Sequence, residues 1–402
     1  MRILYAHNDY GIWSGEEASA EAIAKLLSDH GHEVFWFRRS SHKLWLRGSF
    51  FRKATAFGTG IHNPIAARDI ALMLDKIKPD IVQVQNLYPL LSPSIFGPIR
   101  ERNIPTVMRC PNYRLFCPNG LYFSRGNVCE RCTTVGRELW CVIKNCEGNV
   151  FKSTGYALRN AWARMNRSIP KSVDVFIVQT QFQKAMFVKH GIQPDRIEIL
   201  PGIAPPIDIS SNGHVGDLVL FVGRPSMEKG IGTLLEAAQT TPKVLFSIAG
   251  DSPNSGQYIS SAPNNVQWLG FLKGEALFDL YRSARFVVAP SSCYEGFPNV
   301  IATAMMMGKP VISSKIGGIP EIVEDGVTGL LCEPSNAKDL AEKIQYLWDR
   351  PQLCKQMGQA GREKALREYS PEKCYERLIA IYQKAGGWAR RAPAVKHAAE
   401  LA

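Results

Sequence analysis

The chain has 402 residues, 45% of them hydrophobic, which is enough for two domains of ordinary size with separate cores and excludes fibrous and disordered classes. No run of eighteen apolar residues occurs. The opening MRILYAHNDYGIWSGEEAS passes from a strand into a turn without the charged, apolar and small-residue order of an export leader, so a cytosolic protein is expected. The formal charge of +12 is uneven, with 27 Lys and Arg against 17 Asp and Glu in residues 1–210, and 21 against 19 in residues 211–402.

In chain order, a strand over 2–6, a loop over 8–15, a helical pattern over 16–30 stopped by Gly31 and a strand over 33–37 make a βαβ opening. Next, within 38–53, Arg38, Arg39, Lys43, Arg47, Arg52 and Lys53 stand among Leu44, Trp45, Leu46, Phe50 and Phe51, with no acid. Cations interleaved with aromatics suit an anionic membrane surface; the alternative is a solvated loop with a few packed aromatics. No nucleic-acid motif accompanies the charge, so nucleic acid is not an expected partner.

Helices over 66–76 and 92–102 alternate with strands over 81–85 and 106–109; a strand over 173–179, a helix over 181–189 and a strand over 197–200 complete the first half. Residues 203–216, rich in Pro, Gly, Ser and Asn, read as a linker. The alternation restarts with strands over 218–222, 244–249, 266–269, 286–289 and 310–313 and helices over 231–238, 275–283 and 299–307. Helices over 337–349 and 371–385 follow, and 386–402 reads as a loose tail. Alternating strands and helices predict parallel sheets covered on both faces, and two such blocks make a cleft walled by strand carboxyl ends. The expected division is 1–205, with a cysteine-rich insertion at 110–150, then 206–370, then a closing segment over 371–402.

Two stretches carry chemistry. After the strand over 286–289, Glu295, Gly296, Phe297 and Pro298 connect tightly into a helix beginning at Asn299. A carboxylate at a strand's carboxyl end, followed by N–H groups at a helix start, can hold sugar hydroxyls and phosphate oxygens together. The strand over 218–222 runs into GRPSMEKG, which sets Gly223, Arg224 and Lys229 at a strand mouth just before a helix. Two cations there neutralise a diphosphate, or form an ordinary exposed helix-start pair. Gly15, at the end of the first loop, lets backbone approach a ligand because it lacks a side chain. Glu321, after Gly317, Gly318 and Pro320, reads as a first-turn helix acid, with a base or ribose contact as the alternative.

The segment 290–331, PSSCYEGFPNVIATAMMMGKPVISSKIGGIPEIVEDGVTGLL, together with GRPSMEKG, resembles the donor-site signature of family 4 retaining glycosyltransferases of the group 1 type. The likeness extends over most of the chain. It implies the α/β GT-B fold, two Rossmann-like domains with parallel sheets facing a cleft, whose last helix returns to the first domain. It implies a nucleotide diphosphate sugar as donor, with Glu295 on the transferred sugar and Gly296, Phe297, Pro298 and Asn299 supplying backbone to sugar hydroxyls or phosphate. Gly15, Gly223, Arg224 and Lys229 would meet the diphosphate. The family's ribose-holding glutamate, eight positions after the first, is Thr303 here, and Pro111 stands where many relatives carry a histidine. His7 and His62 are the available substitutes; neither is assigned as a base, and no catalytic divalent metal is expected.

Cys110, Cys117, Cys129, Cys132, Cys141 and Cys146 crowd into one window of the first half. A C-x-x-C pair with two further thiolates encloses tetrahedral zinc, while reduced packed thiols are the alternative and disulfides rank behind both in a cytosolic protein. Some members of the resembled family carry a similar insertion in which the equivalents of Cys117, Cys129, Cys132 and Cys146 recur; those four, with Cys141 as substitute, are the expected structural zinc ligands.

The reading is a hexosyltransferase-like, retaining glycosyltransferase. It would move a sugar to a hydroxyl of a glycan or lipid-linked glycan in cell-surface polysaccharide synthesis, from a peripheral position on the inner face of the cytoplasmic membrane. The alternatives are a non-catalytic glycan- or partner-binding member of the fold, or a nucleotide-sugar epimerase.

Overall fold

A computed structural model describes residues 1–9, 15–40, 58–205, 216–253 and 255–389. Most of the cation-and-aromatic stretch, from 41 on, and the linker at 206–215 lie outside these residues.

Short apolar runs bounded by turn residues become parallel strands because both of their faces are buried. The first half holds β1 (Arg2–Asp9), α1 (Gly15–Asp29), β2 (Glu33–Ser40), α2 (Pro64–Ile77), β3 (Ile81–Asn86), α3 (Phe96–Glu101) and β4 (Thr106–Arg109). A small hairpin, β5 (Phe123–Ser124) and β6 (Asn127–Val128), then α4 (Leu139–Ile143) and α5 (Val150–Met165), form the cysteine-bearing insertion. After it come β7 (Val175–Val178), α6 (Gln181–Lys189) and β8 (Ile197–Ile199). The sheet order is β2-β1-β3-β4-β7-β8, parallel throughout.

The second half holds β9 (Leu218–Val222), α7 (Ile231–Thr240), β10 (Phe246–Ala249), α8 (Ser255–Ser260), β11 (Val266–Gly270), α9 (Glu275–Ser283) and β12 (Ala284–Ala289). These are followed by α10 (Asn299–Met306), β13 (Val311–Ser314), α11 (Ile319–Ile322) and β14 (Gly329–Cys332). Its order, β11-β10-β9-β12-β13-β14, is that of a doubly wound nucleotide-binding sheet. Three helices close the chain: α12 (Ala337–Trp348), α13 (Pro351–Glu368) and α14 (Pro371–Ala389).

Each sheet is covered on both faces by its own apolar clusters. Helix α14 crosses back to the first sheet, where Leu378, Ile381, Tyr382 and Ala385 pack with Ile3, Tyr5 and Ile177. The Tyr382 hydroxyl donates to Gln83 Oε1 at 2.5 Å, and the Tyr375 ring stacks on His30. The helix runs to Ala389, so the expected tail begins later than 386. Among the described residues no helix is long and apolar enough to cross a membrane.

Candidate active site

In an open parallel sheet, loops leaving the strands on either side of the point where strand order reverses diverge and open a crevice. In the second sheet that point lies between β9 and β12. The loop after β9 carries Gly223, Arg224 and Lys229, and the loop after β12 carries Glu295. The fold therefore brings two stretches some seventy positions apart into one crevice. Lys229 Nζ lies 2.5 Å from Glu295 Oε1, and the Ser291 hydroxyl donates to the same oxygen at 2.8 Å. Neither bond uses Oε2. Burial pulls the Lys229 ammonium down, but the Glu295 carboxylate outweighs it and the net displacement is upward. The cation is therefore fixed at neutral pH. Arg224 is the more open of the two cations, 64% exposed, and reaches Glu228 at 3.2 Å.

Backbone closeness fixes this geometry. Gly230 ends the turn after Lys229 at φ 72°, and a Cβ there would lie 1.8 Å from the Pro290 carbonyl oxygen. A Cβ on Gly317 would fall 2.7 Å from the Glu295 nitrogen, and Gly318 N–H donates to the Glu295 carbonyl at 2.9 Å. Glu295 is thus held by its own backbone as well as by Lys229.

The opposite wall comes from the first domain. A Cβ on Gly296 would meet Gln179 Oε1 at 3.1 Å, Gln183 Oε1 at 3.3 Å and the Pro111 carbonyl at 3.4 Å. Gln183 is itself pinned, accepting from Gln179 N–H and donating to the Cys110 carbonyl. The Glu321 carboxylate accepts from Gln181 N–H and Phe182 N–H at 2.7 and 2.6 Å, so an acid of the second domain caps α6 of the first. Glu321 sits in the first turn of α11 as expected, but its bonds go across the cleft, which neither reading of the sequence included. Tyr294 adds a second crossing: its hydroxyl donates to Glu130 Oε1 at 2.9 Å, and burial, then Glu130, push it up to about 12.

Gly15 begins α1 and faces Asn299, the first residue of α10; a Cβ on Gly15 would lie 3.9 Å from Asn299 Nδ2. Two helix N-termini, one from each domain, therefore open on the same gap, and both favour negative charge there. Asn299 Oδ1 is buried without a hydrogen-bond partner among the described residues. Phe297 has another task. Its buried ring packs on Tyr369 at 5.0 Å, and a Cβ on Gly202 would lie 2.3 Å from it, so its side chain packs into the connection between domains. Pro298 occupies the N-cap position of α10 without a side-chain capping bond, and Thr303 lies one turn on, half-buried.

Neither histidine is placed as a base. His7 is fully buried, 3.4 Å from Asp9, and burial, then Arg38, lower it to about 4; His62 is exposed. All ten cysteines are free thiols. Cys132 and Cys141 share a small cluster with Cys146, and burial, then Cys117, Cys146 and Cys129, push the Cys132 thiol up to about 12. Hydrogen bonding from Cys141 takes Cys146 the other way, downward. The sulfurs are neighbours, yet no three of them converge within 4.8 Å; among the described residues His7, Asp9 and Glu17 do.

Residues 210–364 match the family described as glycosyl transferases group 1. Curated relatives include an uncharacterized glycosyltransferase of Methanocaldococcus jannaschii, 32% identical over 41% of this chain and 47% of its own length. The alpha-D-kanosaminyltransferase of Streptomyces kanamyceticus is 29% identical over 42% of this chain and 46% of its own. The chain thus spans about half the length of these relatives. Among solved structures, Anabaena HepE in complex with UDP and glucose matches with TM-score 0.66 at 18% identity, over 95% of this chain and 99% of that one. Sucrose-phosphate synthase of Thermosynechococcus elongatus matches with TM-score 0.69 at 19% identity, over 95% and 98%. Such identities speak for the fold, GT-B, rather than for a substrate. Residues 210–364 thus resemble the group 1 glycosyl transferases, and the two-sheet architecture around them has the GT-B fold.

Proposed function

We propose that the protein transfers a sugar, with retention of configuration, from a nucleotide diphosphate sugar to a hydroxyl of a glycan or lipid-linked glycan in cell-surface polysaccharide synthesis. The supporting observation is the Lys229–Glu295 pair at the strand-order reversal, walled by Gln179, Gln183 and Pro111 of the other domain. Arg224 and Lys229 meet the diphosphate. As the glycosidic bond breaks, the departing diphosphate gains charge, so fixed cations stabilise the transition state more than the ground state. Glu295 and the backbone from Gly296 to Asn299 orient the sugar. The leaving phosphate takes the acceptor's proton, which removes the need for a protein base and agrees with His7 being buried and neutral. Closure across the Glu321 and Tyr294 contacts excludes water that would hydrolyse the donor. HepE, solved with UDP and glucose, and TarM, solved with UDP and a GlcNAc-glycerol, show that neighbours of this fold take such ligands.

The membrane location belongs to the same proposal, on the cytoplasmic face. The test of the donor site is thermal stabilisation by a panel of nucleoside diphosphates and their sugars. A ligand at a hundredfold its dissociation constant adds about 2.7 kcal/mol. We expect a shift selective for one base and lost in Arg224→Ala. A flat panel would defeat the enzyme reading. It would favour a non-catalytic binding member, which Thr303 and Pro111 at two family positions recommend as the second reading.

The insertion receives a separate proposal: Cys117, Cys129, Cys132 and Cys146, with Cys141 as substitute, hold a structural zinc. Four soft donors in one insertion, three of the window's cysteines sharing a cluster, suit that ion, and binding it would have to draw together sulfurs that do not converge in this structure. Elemental analysis of protein purified without chelator should find about one zinc per chain. Protein free of metal with an unchanged melting temperature would leave packed thiols.

A further inference from the structure

Helix α5 is built the reverse way from a helix lying on a core. Its buried positions are Ser153, Gly155, Ala157, Arg159, Asn160 and Ala163, small or polar throughout. Its solvent side carries Phe151, Leu158, Trp162 and Met165, with Phe151 83% and Met165 69% exposed. Spaced by seven, four and three residues, these four form one stripe, about 21 Å long at the helical rise. Helix α4, packed against α5, adds exposed Leu139 and Ile143 at the same i, i+4 spacing. Six large apolar side chains on two adjacent helices make an exposed patch of the kind that marks an interaction surface.

The charge around it selects the partner. Residues 125–171 hold nine Lys and Arg against three Glu. Each glutamate is already engaged: Glu138 with Arg164, Glu147 with Lys152 and Glu130 with Lys189. Arg131, Arg137, Arg167 and Lys171 are exposed and have no carboxylate partner among the described residues. An apolar stripe containing Trp and Phe, in a segment whose exposed cations outnumber its acids and whose Arg131 lies over the ring of Trp140 on α4, matches an anionic bilayer surface, where each cation near the headgroups contributes about fivefold in affinity. A second copy of the chain fits poorly, because a two-fold interface would set this basic segment against itself.

We infer that the α4–α5 face docks on an anionic membrane surface, with the stripe from Phe151 to Met165 entering the headgroup region. This deepens the proposed membrane location and rests on it, but it names a surface other than the stretch at 41–53. The inner side of α5 gives the docking a purpose. Arg159 lies over the Tyr88 ring, and Asn160 donates to the Arg114 carbonyl, so the helix backs on the Pro111–Arg114 loop that walls the crevice. A bilayer under α5 would thus lie beside the first-domain wall of the crevice.

The test is flotation of the full chain with vesicles of phosphatidylglycerol mixed with phosphatidylcholine, against phosphatidylcholine alone, for wild type and two variants. One variant combines Phe151→Ser with Trp162→Ser; the other combines Trp45→Ser, Phe50→Ser and Phe51→Ser. We expect wild type to bind the anionic vesicles. We expect the α5 variant to bind at least about tenfold more weakly with unchanged melting temperature, since both side chains are exposed. Release by the second variant alone would overturn this face while leaving the membrane location standing. Absence of binding by wild type would overturn both. Sedimentation without lipid that shows a dimer lost in the α5 variant would also overturn the inference, by making the face a protein interface.

Discussion

Glu295→Gln should lower kcat/KM by about 10²–10³-fold with little change in melting temperature, an effect of about 3–4 kcal/mol on the transition state. Glutamine keeps the shape of the side chain, and the backbone of residue 295 stays gripped by Gly317 and Gly318. What is lost is the negative charge 2.5 Å from Lys229. In the proposed reaction that charge orients the sugar and keeps the ammonium in place beside the diphosphate, so the damage should fall on kcat more than on nucleotide affinity. Lys229→Ala should cost a similar factor, and the double variant little more than either single one, because the two groups act as a unit. The measurement is transfer with the donor identified by thermal stabilisation. Glu295→Gln retaining a third or more of the wild-type rate would remove Glu295 from the site.

The parts of this molecule that the sequence revealed share a physical cause. Buried parallel strands such as β4 and β9 are short apolar runs cut off by turn residues, so their bounds could be read directly, as could those of α6 and α9. Helix α5 escaped because its pattern is inverted: the positions that face the protein are the small and polar ones, and a search for an inward apolar stripe finds nothing. Helix α13 escaped because few of its residues are apolar; it settles through Cys354, Met357, Ala365 and two glycines. Strand β14 is four residues long and starts at a glycine. The site divides in the same way. Lys229 and Glu295 were visible because each sits in a local motif at a strand's end. The Glu321 cap on α6 was not, since its partners lie 139 and 140 positions away and only the closing of two domains brings them together. Nor does composition show that Phe297 packs its ring against Tyr369 in the interdomain connection.

Gly230→Ala should destabilise the protein by roughly 3 kcal/mol and weaken donor binding, whereas Gly232→Ala, two residues on, should stabilise it by about 0.5–1 kcal/mol. The two glycines differ in backbone and in space. Gly230 has φ 72°, in the left-handed region, and its missing Cβ would lie 1.8 Å from the Pro290 carbonyl oxygen and 2.8 Å from its carbon. Both obstacles are backbone, so a methyl group can be admitted only by moving the start of the 290–299 loop away from the turn that carries Lys229. That displacement separates Lys229 from Glu295. Gly232 lies inside α7 with nothing within 4 Å of its would-be Cβ, and alanine there removes backbone freedom from the unfolded chain at no steric cost. In a domain of this size 1 kcal/mol moves the melting temperature by about 2–4 °C, so the variants should separate by roughly ten degrees in opposite directions from wild type. Nucleotide affinity supplies the second readout: it should fall in Gly230→Ala and stay put in Gly232→Ala. Equal melting temperatures would mean that the 290–299 loop yields freely. The Lys229–Glu295 spacing would then be set by the side chains alone, and Glu295→Gln should loosen the crevice as well as silence it.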